Sequence, residues 1–586
     1  MSFSVRIRPH RAGIVSSRRV ESSAVGIQRL TLSTISGLAL LATMLYVGDD
    51  CVTCDQGIVT TGGTTTSPPA GAVADPEAEL RIEVGSDIDL QGFAAVGSTT
   101  SSSTDSTDTT QADDETTSST ETSETVTSTS ASDEAGTSTT GGTADSTSND
   151  KNDGKGDGES TTTTQATTSS TAAATAPPPV GSNVPVGGSK IYVDPRNGNA
   201  ANDGTSESKA LKSLQNALRR VQPGQTVYLM SGEYRETKTP GSLHYFIKTS
   251  GRADNWIRIT KAPGHNPVIV ANSGTGLLIE ANYIEVSGLT VRGEGFSSGD
   301  WGVGISIGRS HHVRILNSRI SGMPVSGIGA NESSNVHLIN NVVYENSFWS
   351  PNNGSGISFF HQRNHGQGAD YGQYHDVVIG NRVFRNENKV NSKFQAEKGI
   401  QIKTDGNGII IDSNKTSGYS GRTLIANNLA YDNGGRGIIA YDSNRIDILF
   451  NTTYHNVRTQ DLIGEGAELT ASKVNDVRIE HNIAWARPGK RALSYSTATN
   501  SSTNGNVLVT DNSASVAFGN DTVLTGNPGL RNPSTNAGSA DFRPSSGGGL
   551  IGKAAATGTV PRDIVGTSRS GSVEPGAFEA EASSGR

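Results

Sequence analysis

The chain has 586 residues and 70 glycines, about 12% against a usual ~7%. Its hydrophobic fraction is 33%, its aromatic fraction 5%, and it holds two cysteines. Those figures exclude a disulfide scaffold, a cysteine-rich metal protein and a multi-span membrane protein. The net charge of −9 is unevenly spread: fourteen acids and two lysines lie between Asp105 and Glu159, so the remainder is +3. No basic field of the kind nucleic acid requires is left.

The elements follow in chain order. Arg6, Arg8, Arg11, Arg18, Arg19 and Arg29 precede an apolar run at 35–47, ISGLALLATMLYV. A basic flank before a short apolar core reads as an export signal or signal anchor within residues 1–50, the only route to a membrane. Cys51 and Cys54 lack a thioredoxin-like setting. Residues 51–188 form a linker of Ser, Thr, Gly, Asp and Glu, expected to be disordered because little apolar surface offsets the entropy of ordering. Export plus a stalk predicts a secreted or cell-surface location.

From 189 to 580 one phrase recurs. Gly-Ile opens it at Gly304, Gly327, Gly356, Gly408 and Gly437. Alternating apolar residues ending in Asn follow, as in VHLINN from Val336, TLIANN from Thr423 and IDILFN from Ile446. A third short strand closes each unit, such as LAYDN from Leu429. Period-two alternation marks half-buried strands, and the undisturbed spacing of 23 residues, Asn428 to Asn451, is that of a solenoid. Asn and Gly are expected to supply left-handed turns, and Asn repeated at one turn to form an amide ladder. The reading is an all-β parallel β-helix, its first coil covered by a helix at 211–221, with 581–586 as a tail.

The entry segment, Tyr192-Val193-Asp194, Asp203-Gly204-Thr205, Pro223-Gly224-Gln225-Thr226-Val227 and Gly232-Glu233-Tyr234, resembles that of pectate-lyase-like right-handed β-helix proteins. The closing segment, NPGL from Asn527, Asp541-Phe542-Arg543-Pro544 and Glu574-Pro575-Gly576-Ala577-Phe578, resembles theirs too. The resemblance covers 190–580 and implies a right-handed β-helix. It leaves the reaction open, because the scaffold hosts lyases, hydrolases, epimerases and inert adhesins. DGNGIIID from Asp405 and YDNGGRGI from Tyr431 look like segments shared among lyase-like members.

Chemistry is expected where the repeat is interrupted. Asn341 to Asn381 spans 40 residues and Asn381 to Asn428 spans 47, so neighbouring coils carry the long excursions. Counting from each Gly stacks Phe360, Asp412 and Tyr441 in one column and His361, Ser413 and Asp442 in the next, about 4.8 Å per coil. Asp405, Asp412 and Asp442 are the expected Ca²⁺ or substrate ligands, since an oxygen-rich carboxylate set suits that cation. Elimination from a uronate needs a neutralised carboxylate, a base for the adjacent C–H and a proton for the leaving oxygen. Lys403 or Lys415 is the expected base, and Arg422 or Arg436 the partner of the uronate. His361, Tyr371, Tyr374, Tyr419 and Tyr441, with Trp349, Phe359 and Phe360, are the expected sugar contacts. His361, His365 and His375 lack fixed ligand spacing for a metal.

The expected function is an exported, monomeric lyase of an acidic polysaccharide. The alternatives are a glycoside hydrolase and a non-catalytic glycan-binding surface protein. The Asn-Thr-Asp segment of polygalacturonases is replaced by Asn451-Thr452-Thr453, and the Asp-Pro-His motif of mannuronan epimerases is absent.

Overall fold

The computed structural model describes residues 188–235, 245–365, 374–464, 466–512 and 519–581. The export segment, the linker and Tyr371 lie outside them. Among the described residues no helix is long and apolar enough to cross a membrane.

Three long parallel sheets wind up the chain. Each coil crosses sheet 1, sheet 2 and sheet 3 in turn, as in Val303–Gly308, His311–Leu316 and Arg319–Ser321. Alternation turns every second side chain inward. Ile305, Ile328, Ile357, Ile409, Ile438 and Leu469 stack in register on the inner face of sheet 1, all fully buried. Each such side chain contributes about 1.5–3 kcal/mol by burial. Inside sheet 2, Ile315, Leu338, Val378, Ile425, Ile448 and Ile479 do the same.

The glycine before each inward isoleucine is required by space. A Cβ on Gly356 would stand 2.5 Å from Val383 Cγ1 and 2.6 Å from Asn386 Nδ2; on Gly327 it would stand 2.3 Å from Val343 Cγ1.

Two amide ladders run through the turns flanking sheet 3. Asn341, Asn381, Asn428, Asn451, Asn482 and Asn506 form one, each Nδ2 donating to the next Oδ1 at 2.9–3.0 Å. Asn346, Asn386, Asn433 and Asn456 form the other, which ends on Glu468. The left-handed backbone differs from expectation. It falls one residue before the ladder Asn, and Phe450 (φ 53) and His481 (φ 57) occupy it as well as Asn340 and Asn427. The ladder bonds on the following residue hold that geometry, so the position does not require Asn or Gly.

The helix Leu214–Arg220 starts later than the apolar spacing implied. Ser213 caps it by accepting from Asn216 N–H, and it buries Leu214, Ala217 and Leu218 against the first strands. Beyond the coils, residues 530–578 fold back over outer faces. Leu530, Phe542, Ala577 and Phe578 cover Tyr431, Tyr454 and Ile483, and Val560 and Val573 cover the Leu424–Leu449–Phe450 group.

Candidate functional site

Sheet 1 keeps its outer face open beside the long excursions. Phe360 pairs with Asp412 and Asp412 with Tyr441, so the column counted from the glycines is real. His361, Ser413 and Asp442 follow in the next column, and all three have left-handed backbone. A cleft of about 500 Å³, solvent at its mouth included, opens over these coils. Ser358, Phe360, Ile410 and Asp412 form its floor, Asn352 and Asn353 one wall, and Phe394 and Asp405 the other. Phe394 belongs to the short helix Lys393–Ala396 in the second excursion, with Lys393 Nζ 5.0 Å from its ring centre.

The two cleft carboxyls have different surroundings. Asp412 Oδ1 accepts only from Ser413 Oγ, at 2.7 Å. Burial, with the nearby charges of Asp405 and Asp442 added, pushes the Asp412 carboxyl up to about 7 against that bond. Asp405 accepts from Asn407 Nδ2 at 2.9 Å and from Thr404 Oγ1 at 3.1 Å. Burial raises its pKa as well, while the guanidinium of Arg436 pulls it back. Arg436 donates to the Thr404 and Ile463 carbonyls at 3.3 and 2.9 Å, and its Nε is buried without a partner. Asn407 ties the group together, accepting from Arg436 N–H and donating to Ser355 Oγ.

Several expected site residues go elsewhere. Arg422 lies on sheet 2, consumed by Asp447 at 2.7 Å and Asp476 at 2.6 Å. Tyr374 donates to the same buried Asp447. Tyr419 is 3% exposed and donates to Asp376, far from solvent. Phe359 is a core residue. Lys403 Nζ is 3.1 Å from Asp461, and Lys415 Nζ donates to the Lys473 carbonyl at 2.7 Å in an exposed position. Neither ammonium is the half-buried, unengaged amine a lysine base requires. Asp412 feels the charges of Asp405 and Asp442, yet no group of three or more His, Cys, Asp or Glu among the described residues is arranged to hold a metal ion. Tyr441 stands in register beside Asp412, with Lys473 Nζ 5.6 Å from its ring centre, and His361 stacks on Phe360 at 4.0 Å.

The sequence reading missed Phe394, Asn407 and Ser358. Phe394 was signalled only by the length of its excursion, and Ser358 by its parity with Phe360.

Residues 191–475 match the family described as Pel9A-like, right handed beta helix region. This stretch of the chain is a right-handed β-helix of the pectate-lyase-like kind. No curated protein matches this β-helix in sequence. Among solved structures it is similar to pectate lyase Pel9A, at 18% identity and a TM-score of 0.42 over 67% of this chain and 97% of that one. It is also similar to a rhamnogalacturonan lyase (16%, TM-score 0.31, 58% and 85% covered). A GH136 lacto-N-biosidase from Eubacterium ramulus gives 16% and a TM-score of 0.38, with 59% of this chain and 62% of that one covered.

Proposed function

We propose that this β-helix is an exported enzyme that cleaves an acidic polysaccharide by β-elimination at the Asp405–Asp412 cleft. The observation that carries the reading is the grouping of Asp412 and Asp405, the latter beside Arg436, with the aromatic rings of Phe360 and Phe394 in one cleft. Aromatic faces suit sugar rings, and the half-buried guanidinium of Arg436 supplies positive charge for a uronate carboxylate. A carboxyl with a pKa near the working pH is matched to proton transfer. In this reading Asp412, as carboxylate, takes the proton from the carbon next to the uronate carboxylate. The electron pair forms the ring double bond, the glycosidic C–O bond breaks, and the leaving oxygen takes up the proton. Lysine has no step in it, and none is routed through Ca²⁺.

The test is incubation of the protein with pectate, alginate and glycosaminoglycans, with Ca²⁺ and with a chelator, reading the ultraviolet absorbance of unsaturated uronate. Turnover is expected to rise with pH through about 7 as Asp412 ionises. Asp412→Asn is expected to lower kcat by about 10²–10⁴-fold. Unsaturated ends absent from every substrate would overturn the elimination. Reducing ends without unsaturation would favour a hydrolase, the second reading, for which two carboxyls of raised pKa in one cleft are the motivating feature. Glycan retention without turnover would make it a binding protein.

A further inference from the structure

Beside the cleft, on the outer face of sheet 2, five histidines from successive coils meet. His311 and His312 open the strand His311–Leu316 with their Nδ1 atoms 2.8 Å apart. His337 pairs in register with Arg314 one coil on, and His375 follows on the strand Tyr374–Ile379. His365 comes from the segment that leaves sheet 1 after Phe360. Its ring is 6.5 Å from that of His311, and its Nε2 meets the Glu332 carbonyl. Tyr283 stacks on His312 at 4.7 Å and Trp256 meets it edge-on at 6.3 Å, shielding the group from water.

The arrangement suits neutral rings. The His311–His312 contact needs one nitrogen bare and one protonated, so charging both would set two cations 2.8 Å apart. His337 Nδ1 is buried with no partner, and a proton there would be an unsatisfied buried donor. The surrounding charges add to the effect. Arg314 faces His312 and His337 and is itself faced by Arg258 and Glu285. Arg309 and Arg363 both bind Glu332, at 2.9 Å. Gln362 and Asn364 tie the same segment to Asp376, Gly418 and Ser420, so only its His365 end depends on the histidines.

We propose that this patch is an acid-sensitive joint, holding the His365 end of segment 363–365 against sheet 2 at neutral pH and releasing it as the medium acidifies. Burial depresses His312 to about 4 and His337 to about 3, below the ordinary 6.5. The joint is therefore intact above about 6.5 and weakens as pH falls from there toward 4.

The test is backbone amide exchange on the full chain between pH 7 and pH 5, corrected for the intrinsic pH dependence of exchange. It needs no enzymatic activity, so its result is independent of the elimination reading. For each imidazole freed, protection of 363–365 and 311–314 is expected to fall about tenfold per pH unit below 6.5. The response should disappear in His312→Gln with His337→Gln. The single variant His365→Gln, outside the buried part of the patch, is expected to lower protection at pH 7 and flatten the response, and serves if the double variant does not fold. Equal protection at both pH values, or an undiminished acid response in the variants, overturns the proposal. A response abolished by a chelator and restored by zinc also overturns it, in favour of a metal site.

Discussion

Asn428 shows what a single residue does in this coil. Its Nδ2 donates to the Val378 carbonyl at 2.8 Å and to Asn451 Oδ1 at 2.9 Å, and its Oδ1 accepts Asn381 N–H and Nδ2 at 2.9 and 3.0 Å. All lie out of water, so removing the amide strands partners on three sides. Asn428→Ala is expected to lower stability by about 2–4 kcal/mol, read from the denaturant midpoint, while Asn266→Ala on the surface should change little. The ladder was legible as a recurring Asn, because one residue type at constant phase has few other uses. The fates of Tyr374, Arg422 and Tyr419 were not. A register shift between Tyr374 and Asp376 breaks the alternation from which side-chain direction is read on that strand, and it pairs Tyr374 with the outward-facing Arg422 of sheet 2. Tyr419 comes from an excursion that folds inward, where its hydroxyl meets Asp376, which burial has raised to about 6.

At the scale of the strand, the Gly-Ile phrase is two instructions. Isoleucine fills the interior column, and the preceding glycine lets the turn from sheet 3 pass close to the neighbouring coil. Gly356→Ala is expected to destabilise by about 1–3 kcal/mol through overpacking against Val383 and Asn386. Gly264→Ala, where a Cβ would meet nothing within 4 Å but φ is +79, tests strain without crowding. Thermal melting of the two variants separates the effects. The same phrase positions the site: its phase puts Phe360, Asp412 and Tyr441 on the open face, and that column was readable before any coordinates.

For the whole molecule, the C-terminal segment closes over the coils. Arg569 is its anchor, lying 4.2 Å from the Phe450 ring centre and donating to Glu579, to the Glu574 and Gly576 carbonyls and to Asn427 Oδ1. Arg569→Ala leaves Glu579 without its countercharge and is expected to cost about 3–5 kcal/mol, read as a fall in melting temperature. Burial pushes Glu579 up to about 7 even with Arg569 present. A carboxyl whose folded pKa is raised stabilises most below its unfolded pKa, and that contribution is lost as pH rises through about 7. The variant should therefore lose more stability at pH 8 than at pH 5.

The sequence alone determined the solenoid, its three-strand coil, its ladders and the coils that carry the cleft. These are periodic properties, and a period is visible in one dimension. Tertiary structure alone decided which polar groups are engaged. Arg422 met Asp447, Lys403 met Asp461 and Lys415 met a carbonyl, while Arg436 came to lie beside Asp405. Those encounters depend on where excursions of unequal length fold back, and side-chain ionisation follows from the burial that results.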